Sequence, residues 1–277
     1  MTSIVERAKS LRRGSVAVVG VPLDENSSFL RGSALGPKRI RETLQSGSTN
    51  MSTELGVDLG SAEGWSDLGD LTLRSGSEAI ADIETTASEF LSMGIRILAL
   101  GGDHSITYPL VRAHARANKG LTVLHLDAHP DTYDSYDNNR FSHASPFARI
   151  MEEGLGVRLV QAGIRTMNPH QREQAGRFGI TVLEMKDWSI ARMPQLKGPV
   201  YLSLDMDVLD PAFAPGVSHH EPGGMTVRDV LSIIHALPVE TVGADIVEFN
   251  PMRDPGGTTA MVAAKLYKEI VGQMLRR

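Results

Sequence analysis

Short apolar runs and amphipathic stretches alternate along this chain of 277 residues. The runs are nearly continuous and rich in β-branched residues, which is typical of strands buried on both faces of a parallel sheet. They lie at residues 15–22, 96–102, 121–129, 157–165, 180–185, 199–208 and 239–249, with a weaker candidate at 65–71. The pattern therefore predicts an α/β protein with a parallel sheet.

Helical patterns separate these runs. Apolar residues recur at spacings of three and four in residues 77–93, and Gly94 is a natural helix end. Thr226 and Asp229 form a capping-box pattern at the start of another helix, and residues 258–275 form a last one. Because strands that alternate with helices form crossover units, we expect helices on both sides of the sheet.

Composition and charge exclude several classes of protein. The absence of cysteine excludes disulfides, thiolate zinc sites and a cysteine nucleophile. The 28 basic and 33 acidic residues give a net charge of −5, which argues against non-specific binding to nucleic acid or anionic membranes. No apolar run approaches the roughly 20 residues of a membrane-spanning helix. We expect one cytoplasmic domain over residues 1–277, with residues 1–14 as an N-terminal helix or tail.

Aspartate and histidine follow three of the predicted strands, at the edge where α/β sheets place their sites. The segments are GGDHS at 101–105, DAHPD at 127–131 and DMDVLD at 205–210. Residues two apart in extended chain face the same way, so Asp127, His129 and Asp131 share one side, as do Asp205 and Asp207. Burying so many carboxylates without a positive partner would cost many kcal/mol, so a cation is expected among them.

Charge balance indicates two divalent cations. The candidate ligands are four aspartates and two neutral histidines, namely Asp127, Asp131, Asp205, Asp207, His104 and His129. Such a set suits a two-metal site with ions about 3.5–4 Å apart. Oxygen-rich ligands without sulfur favour Mn²⁺ over zinc, with Co²⁺, Ni²⁺ and Fe²⁺ as alternatives. Each segment alone could be an acidic surface turn or a glycine turn before a helix, but three at strand ends favour the metal site.

The segments GGDHS, DAHPD and SLDMDVLDP, in that order, resemble the three signatures of the ureohydrolases. This family contains arginases, agmatinases and related guanidino hydrolases. The stretches SSFLRG, FSHASPFARIME and FAPGVSHHEPGG are similar to those of plant-type arginases. The resemblance implies a three-layer α/β/α sandwich around a central, mainly parallel eight-stranded sheet, and assembly as homotrimers or homohexamers.

The resemblance also implies individual roles. One Mn²⁺ ion would be held by His104, Asp127, Asp131 and Asp205, and a second by Asp127, His129, Asp205 and Asp207, giving two per subunit. Asp131 would take a proton from the attacking water, and His143 would relay a proton to the leaving amine. Glu248 would bind the guanidinium group of the substrate.

The predicted reaction is hydrolysis of L-arginine to L-ornithine and urea. Agmatine is the close competitor, and another guanidino acid remains an alternative. The far end of the substrate should meet the loops that follow Asp131 and Asp210. The candidate contacts in these loops are Asp134, Asn139, Ser142, His219 and Glu221. Tyr133 stands where animal-type arginases place an asparagine. If only the animal-type arginases are considered, this difference argues against arginine as the substrate.

Simpler interpretations stay open for several residues. His143 could be a surface residue at a helix start, Glu248 could form a salt bridge with Arg253, and His125 is expected to be a core histidine rather than a ligand. Two other classes of protein also remain. One is a zinc deacetylase of related fold, which needs a single ion and a carbonyl-polarising tyrosine; the other is a non-catalytic paralogue.

Overall fold

The computed structural model describes residues 3–238 and 240–276. Its centre is a sheet of eight strands in the order β2-β1-β3-β8-β7-β4-β5-β6, in which every neighbouring pair is parallel. The strands are β1 (Val16–Val21), β2 (Trp65–Asp70), β3 (Arg96–Gly101), β4 (Thr122–Leu126), β5 (Arg158–Ile164), β6 (Thr181–Glu184), β7 (Val200–Asp205) and β8 (Thr241–Val247). The weaker candidate forms the edge strand β2. Val239, where the last predicted run begins, lies outside the described residues.

The helices are α1 (Ile4–Ala8), α2 (Gly36–Leu44), α3 (Ser77–Ser92), α4 (Thr107–Ala117), α5 (Pro146–Glu152), α6 (Pro169–Phe178), α7 (Val227–His235) and α8 (Thr258–Leu275). The helix predicted over 77–93 is α3, and Gly94 follows it with a left-handed φ of 74°. Both hydrogen bonds of the predicted capping box between Thr226 and Asp229 are present at the start of α7.

Helices cover the sheet on both faces, because alternate residues of each buried strand point to opposite sides. Val16 and Val18 of β1 belong to one apolar cluster, with residues of α2, α7 and α8. Ala17, Val19 and Val21 belong to a second cluster, with residues of α1, α3, α4 and α5. The predicted three-layer α/β/α sandwich is confirmed.

The order of the strands decides which loops meet. β3, β8, β7 and β4 lie side by side in the middle of the sheet although they are far apart along the chain. All four are parallel, so the loops after them emerge at one edge. Within the described residues, the helices are too short or too polar to cross a membrane.

Candidate metal centre and active site

Seven predicted site residues lie at or just beyond the ends of the four central strands. His104 follows β3, and Glu248 follows β8. The segment at 127–131 follows β4, while Asp205 ends β7 and Asp207 lies in the turn after it. Six of the seven side chains are buried, and His129 is half-buried. The parallel sheet therefore gathers side chains from four separate segments into one buried cluster.

Unusual backbone conformations hold two of these side chains in place. Asp131 has a φ of 50° and Glu248 a φ of 62°, in the left-handed region that residues other than glycine seldom adopt. Gly102, two residues before His104, packs so closely on another loop that a Cβ there would lie 1.8 Å from the Leu23 carbonyl oxygen. Such conformations often mark functional sites, where the surrounding structure holds them.

His104 lies at the centre of the first group of ligands. Its Nδ1 is 3.2 Å from Asp127 Oδ2, 3.1 Å from Asp131 Oδ2 and 3.2 Å from Asp205 Oδ2. The same nitrogen is fully buried and has no hydrogen-bond partner of good geometry. A buried nitrogen that faces three carboxylate oxygens needs a cation or a proton between them.

Groups behind His104 select its tautomer. Nε2 lies 2.9 Å from Ser203 Oγ, and that hydroxyl donates to Asp245 Oδ1 at 2.8 Å. Since the hydroxyl hydrogen is used on Asp245, Ser203 accepts a hydrogen bond from Nε2–H. The lone pair of His104 therefore lies on Nδ1, which points at the carboxylates as a metal ligand would.

His129 and Asp207 form the second group, around the other oxygen of Asp127. His129 Nδ1 lies 3.0 Å from Asp207 Oδ2 and 3.4 Å from Asp127 Oδ1. Asp127 thus faces both groups, as a bridging ligand must. His125 hydrogen bonds to Asp127 Oδ2 at 2.7 Å and faces Gln161 on its other side, so it acts as an orienting partner of the carboxylate.

The pKa values show a shortage of positive charge in the cluster. Burial, together with Asp207 and Asp127, raises the pKa of Asp205 well above its ordinary value. Burial and Asp127 likewise raise the pKa of Asp207 to about 6. Although burial opposes it, the surrounding aspartates raise the pKa of His104 well above 6.5. Divalent cations would supply the missing charge, so the donor set fits a metal centre.

Glu248 and His143 lie beside this cluster as a hydrogen-bonded pair. Glu248 Oε1 is 2.8 Å from His143 Nδ1 and also accepts from the backbone N–H of His104 at 2.9 Å. His143 is 7 % exposed, so it is not a surface residue. Within the described residues, Glu248 forms its ion pair with His143, and the alternative salt bridge with Arg253 is not present. Although burial opposes it, Glu248 raises the pKa of His143 to about 9.

Comparison with known proteins agrees with this geometry. A family model described as "Arginase family" matches residues 14–272. Arginase 1, mitochondrial, from Arabidopsis thaliana is 48% identical over 95% of this chain and 82% of its own length. A solved structure of the arginase from Medicago truncatula is 41% identical, with a TM-score of 0.89 over 98% of this chain and 93% of that one. The agmatinase of Bacillus anthracis is 33% identical over 95% of this chain and 92% of its own length.

The chain belongs to the arginase family. The predicted resemblance to plant-type arginases is confirmed. The arginase family binds a dinuclear metal centre, and two clusters of this chain could hold metal, one with His104, His125 and Asp127 and one with Asp127, His129 and Asp207. In the first, His125 Nε2 hydrogen bonds to Asp127 Oδ2, the oxygen that His104 also approaches, whereas His104 Nδ1 faces three carboxylates.

A cavity of about 240 Å³ opens above this arginase-family site. Its floor is formed by site residues, namely His129, Asp131, His143, Asp205, Asp207 and Glu248. Its rim is formed by neutral residues, namely Ser28, Tyr133, Tyr136, Ala144, Thr166, Gln171 and His219. We call the neutral set the rim, and we call the site residues, together with the buried His104 and Asp127 that contact them, the floor.

Only one of the five predicted contacts for the far end of the substrate, His219, lines the cavity. Asp134 accepts a hydrogen bond from Gln174, and Asn139 donates to Asn26 Oδ1 at 2.9 Å. The Ser142 hydroxyl is buried against the backbone of the next turn. Glu221 Oε1 stays 4.0 Å from His129 Nε2, outside the lining. These four residues shape the surrounding loops and do not face the cavity.

Several rim residues were not predicted from the sequence. Ser28 comes from the loop after β1, and Thr166 and Gln171 come from the turn and first helical residues after β5. Gln171 is 3 % exposed, and its Oε1 accepts from Asn168 N in a capping box. The sequence Asn-Pro-His-Gln at 168–171 is compatible with such a box, but this pattern indicates only a helix start. Nothing local indicated that this start faces the cavity.

Proposed function

We propose that this protein hydrolyses L-arginine to L-ornithine and urea, using two Mn²⁺ ions per subunit. The observation that carries the proposal is the arrangement of the floor. Two groups of metal-ligand atoms share Asp127, and the Glu248–His143 pair lies beside them. The agreement with plant arginases over nearly the whole chain supports arginine as substrate.

One ion would be held by His104, Asp127, Asp131 and Asp205, and the other by Asp127, His129, Asp205 and Asp207. When bound, two divalent cations lower the pKa of water and so provide a strong nucleophile at neutral pH. The oxygen-rich set with two imidazoles favours Mn²⁺. Asp131 lines the cavity and would accept the proton that the attacking water releases.

Glu248 would bind and orient the guanidinium group. Its Oε1 already accepts from His143 and His104, whereas Oε2 accepts no hydrogen bond from the described residues. The guanidinium would therefore be met first by Oε2, with a charge-assisted hydrogen bond. His143 would protonate the leaving amine, and Glu248, which raises its pKa to about 9, favours the protonated ring that this task needs.

The rim favours arginine over agmatine. Arginine carries a carboxylate at the end where agmatine carries none. Gln171 lines the cavity and is 3 % exposed, and its Nε2 donates no hydrogen bond to the described residues. Tyr136 adds a hydroxyl group, whereas the Thr166 hydroxyl donates to Ala128 O at 3.3 Å, and the rim contains no carboxylate. A rim of neutral donors suits a carboxylate, and a site with buried donors rejects a substrate that cannot pair with them.

Kinetics on the manganese-loaded enzyme test this proposal. We expect urea release from arginine with a much larger kcat/KM than from agmatine or guanidinobutyrate. An agmatine kcat/KM equal to or above that of arginine would make agmatinase the better description. One metal ion per chain with no urea release would favour the zinc deacetylase, and an intact metal centre without hydrolysis of any substrate would favour the non-catalytic paralogue.

Assembly and location are also part of the proposal. We propose a homotrimer or homohexamer in the cytoplasm, as the resemblance and the composition led us to expect. The Arabidopsis and rice relatives are named mitochondrial, so location needs a direct test. Sedimentation analysis of the purified protein measures the number of subunits, and fractionation of the source cells measures the compartment.

A further inference from the structure

The Nε2 atom of His143 faces Ser28. It lies 3.2 Å from the backbone nitrogen of Ser28 and 2.8 Å from the Ser28 hydroxyl. A backbone N–H can only donate, so Nε2 is the acceptor in the neutral ring and the hydrogen is on Nδ1, which donates to Glu248 Oε1. In the protonated ring, Nε2–H would donate to the Ser28 hydroxyl, because that oxygen is the acceptor in reach.

The loop that carries Ser28 is fastened on two sides. Asn26 N donates to Asp103 Oδ2 at 2.9 Å, and Asn26 Nδ2 donates to Ser105 Oγ at 3.0 Å. On the other side, the backbone N–H of His143 donates to Asn26 O at 3.1 Å. These bonds tie the loop to the GGDHS segment and to His143 itself. Ser28 is therefore held against the imidazole before any substrate arrives.

We propose that the Ser28 hydroxyl carries the proton that His143 delivers to the leaving amine. This inference rests on the proposed guanidino hydrolysis. The Ser28 O–H bond breaks as its proton passes to the amine nitrogen, while His143 Nε2–H gives its proton to Ser28 Oγ. The serine ends unchanged, the imidazolium becomes neutral, and the electron pair of the broken C–N bond stays on the amine nitrogen.

Three observations favour this path over direct transfer from the ring. The Nε2 nitrogen is covered by two atoms of Ser28. The Nδ1 nitrogen is engaged by Glu248. Ser28 lines the same cavity as His143, so it borders the space that a bound substrate would occupy. A hydroxyl that donates and accepts at once is the group that such a relay requires.

The test is Ser28→Ala, which removes the hydroxyl but keeps the backbone N–H that defines the neutral tautomer. We expect kcat to fall at least about tenfold with little change in KM, since a positioned proton donor typically contributes 10²–10⁴-fold. Ser28→Thr retains a hydroxyl and should keep most of kcat. The matched control is Ser27→Ala, because the Ser27 hydroxyl donates to Asp103 Oδ2 at 3.5 Å, and within the described residues His143 hydrogen bonds to Ser28 and Glu248 and not to Ser27.

A double mutant separates relay from structure. If Ser28 acts through His143, adding Ser28→Ala to His143→Ala should lower kcat little further. In the Ser28→Ala variant, nitrogen NMR should still show the Nδ1–H tautomer for the neutral His143 ring. The metal content of this variant should equal that of the wild type. Additive losses, unchanged kcat in Ser28→Ala, or an altered tautomer or metal content in that variant would overturn the relay. Wild-type enzyme inactive on every guanidino substrate would instead overturn the proposed function.

Discussion

The floor and the rim of the cavity differ in how they are built. Apart from His143, the floor consists of titratable side chains at or just after the ends of central parallel strands, and most of them are buried. The rim consists of neutral side chains from loops and one helix start, and Tyr136 is 37% exposed. The guanidinium group is common to every substrate of this kind, so in the proposed function the floor would perform the chemistry and the rim would select among substrates.

The difference also concerns rigidity. Floor carboxylates are oriented by backbone N–H groups nearby, as when Asp205 Oδ1 accepts from Asp207 N at 2.7 Å and Asp207 Oδ1 accepts from Ala128 N at 3.1 Å. Most rim residues lie in loops, although the loop that carries Ser28 is fastened to the GGDHS segment. Loops of this kind tolerate amino-acid substitutions. Substitutions in the rim can therefore alter substrate preference while the metal centre stays the same.

The largest expected effect comes from the floor. Asp127→Asn removes a shared negative charge, so the enzyme should bind less metal and its activity should fall below detection. Elemental analysis and urea release measure both results. Asp187→Asn, at a half-exposed surface carboxylate, is the control and should behave as wild type. A variant at Asp127 that keeps two ions and full activity would contradict the bridging role.

The next largest effect should come from His143, which we expect to act in proton transfer and not in metal binding. His143→Ala should retain both ions, because His143 contacts Glu248 and Ser28 and is not among the proposed ligands. We expect kcat to fall by roughly 10²-fold or more, the size of a general acid–base contribution. Steady-state kinetics with a metal assay measure it. Unchanged turnover between pH 7 and 9.5 would reduce His143 to a packing role.

A smaller effect should come from the rim. Gln171→Glu keeps the capping box, since glutamate also serves at that helical position. The new carboxylate would repel the arginine carboxylate, so the ratio of kcat/KM for arginine over agmatine should fall about tenfold, which corresponds to roughly 1.4 kcal/mol. Glu173→Gln, on the exposed side of the same helix, is the control. An unchanged ratio would mean that Gln171 does not contact the substrate's far end.

The smallest effect concerns stability. Thr226 caps α7 just after the loop at 218–224, and its side chain accepts from Asp229 N at 3.1 Å. Thr226→Ala should lower the free energy of unfolding by about 1 kcal/mol, as loss of a helix cap typically does. Denaturant unfolding measures this. If kcat also fell strongly, the loop at 218–224 would be coupled to the residues of the floor.

The sequence by itself determined the strands and the aspartates and histidines that follow them, whereas His143 and Glu248 were indicated only by the resemblance to a family. Buried parallel strands leave a clear apolar pattern, and a residue just after a strand points in a direction that the strand dictates. GGDHS, DAHPD and DMDVLD were therefore readable as one site, even though the order that places β8 between β3 and β7 was not.

Only the tertiary structure decided the rim. Asp134 and Asn139 lie in the expected loop, but loop conformation turns them towards Gln174 and Asn26. Ser28 and Gln171 come from distant segments, and they reach the cavity because the sheet brings the ends of β1 and β5 to the same edge. A side chain in a loop faces whatever the rest of the fold places beside it, and local sequence carries no record of that neighbour.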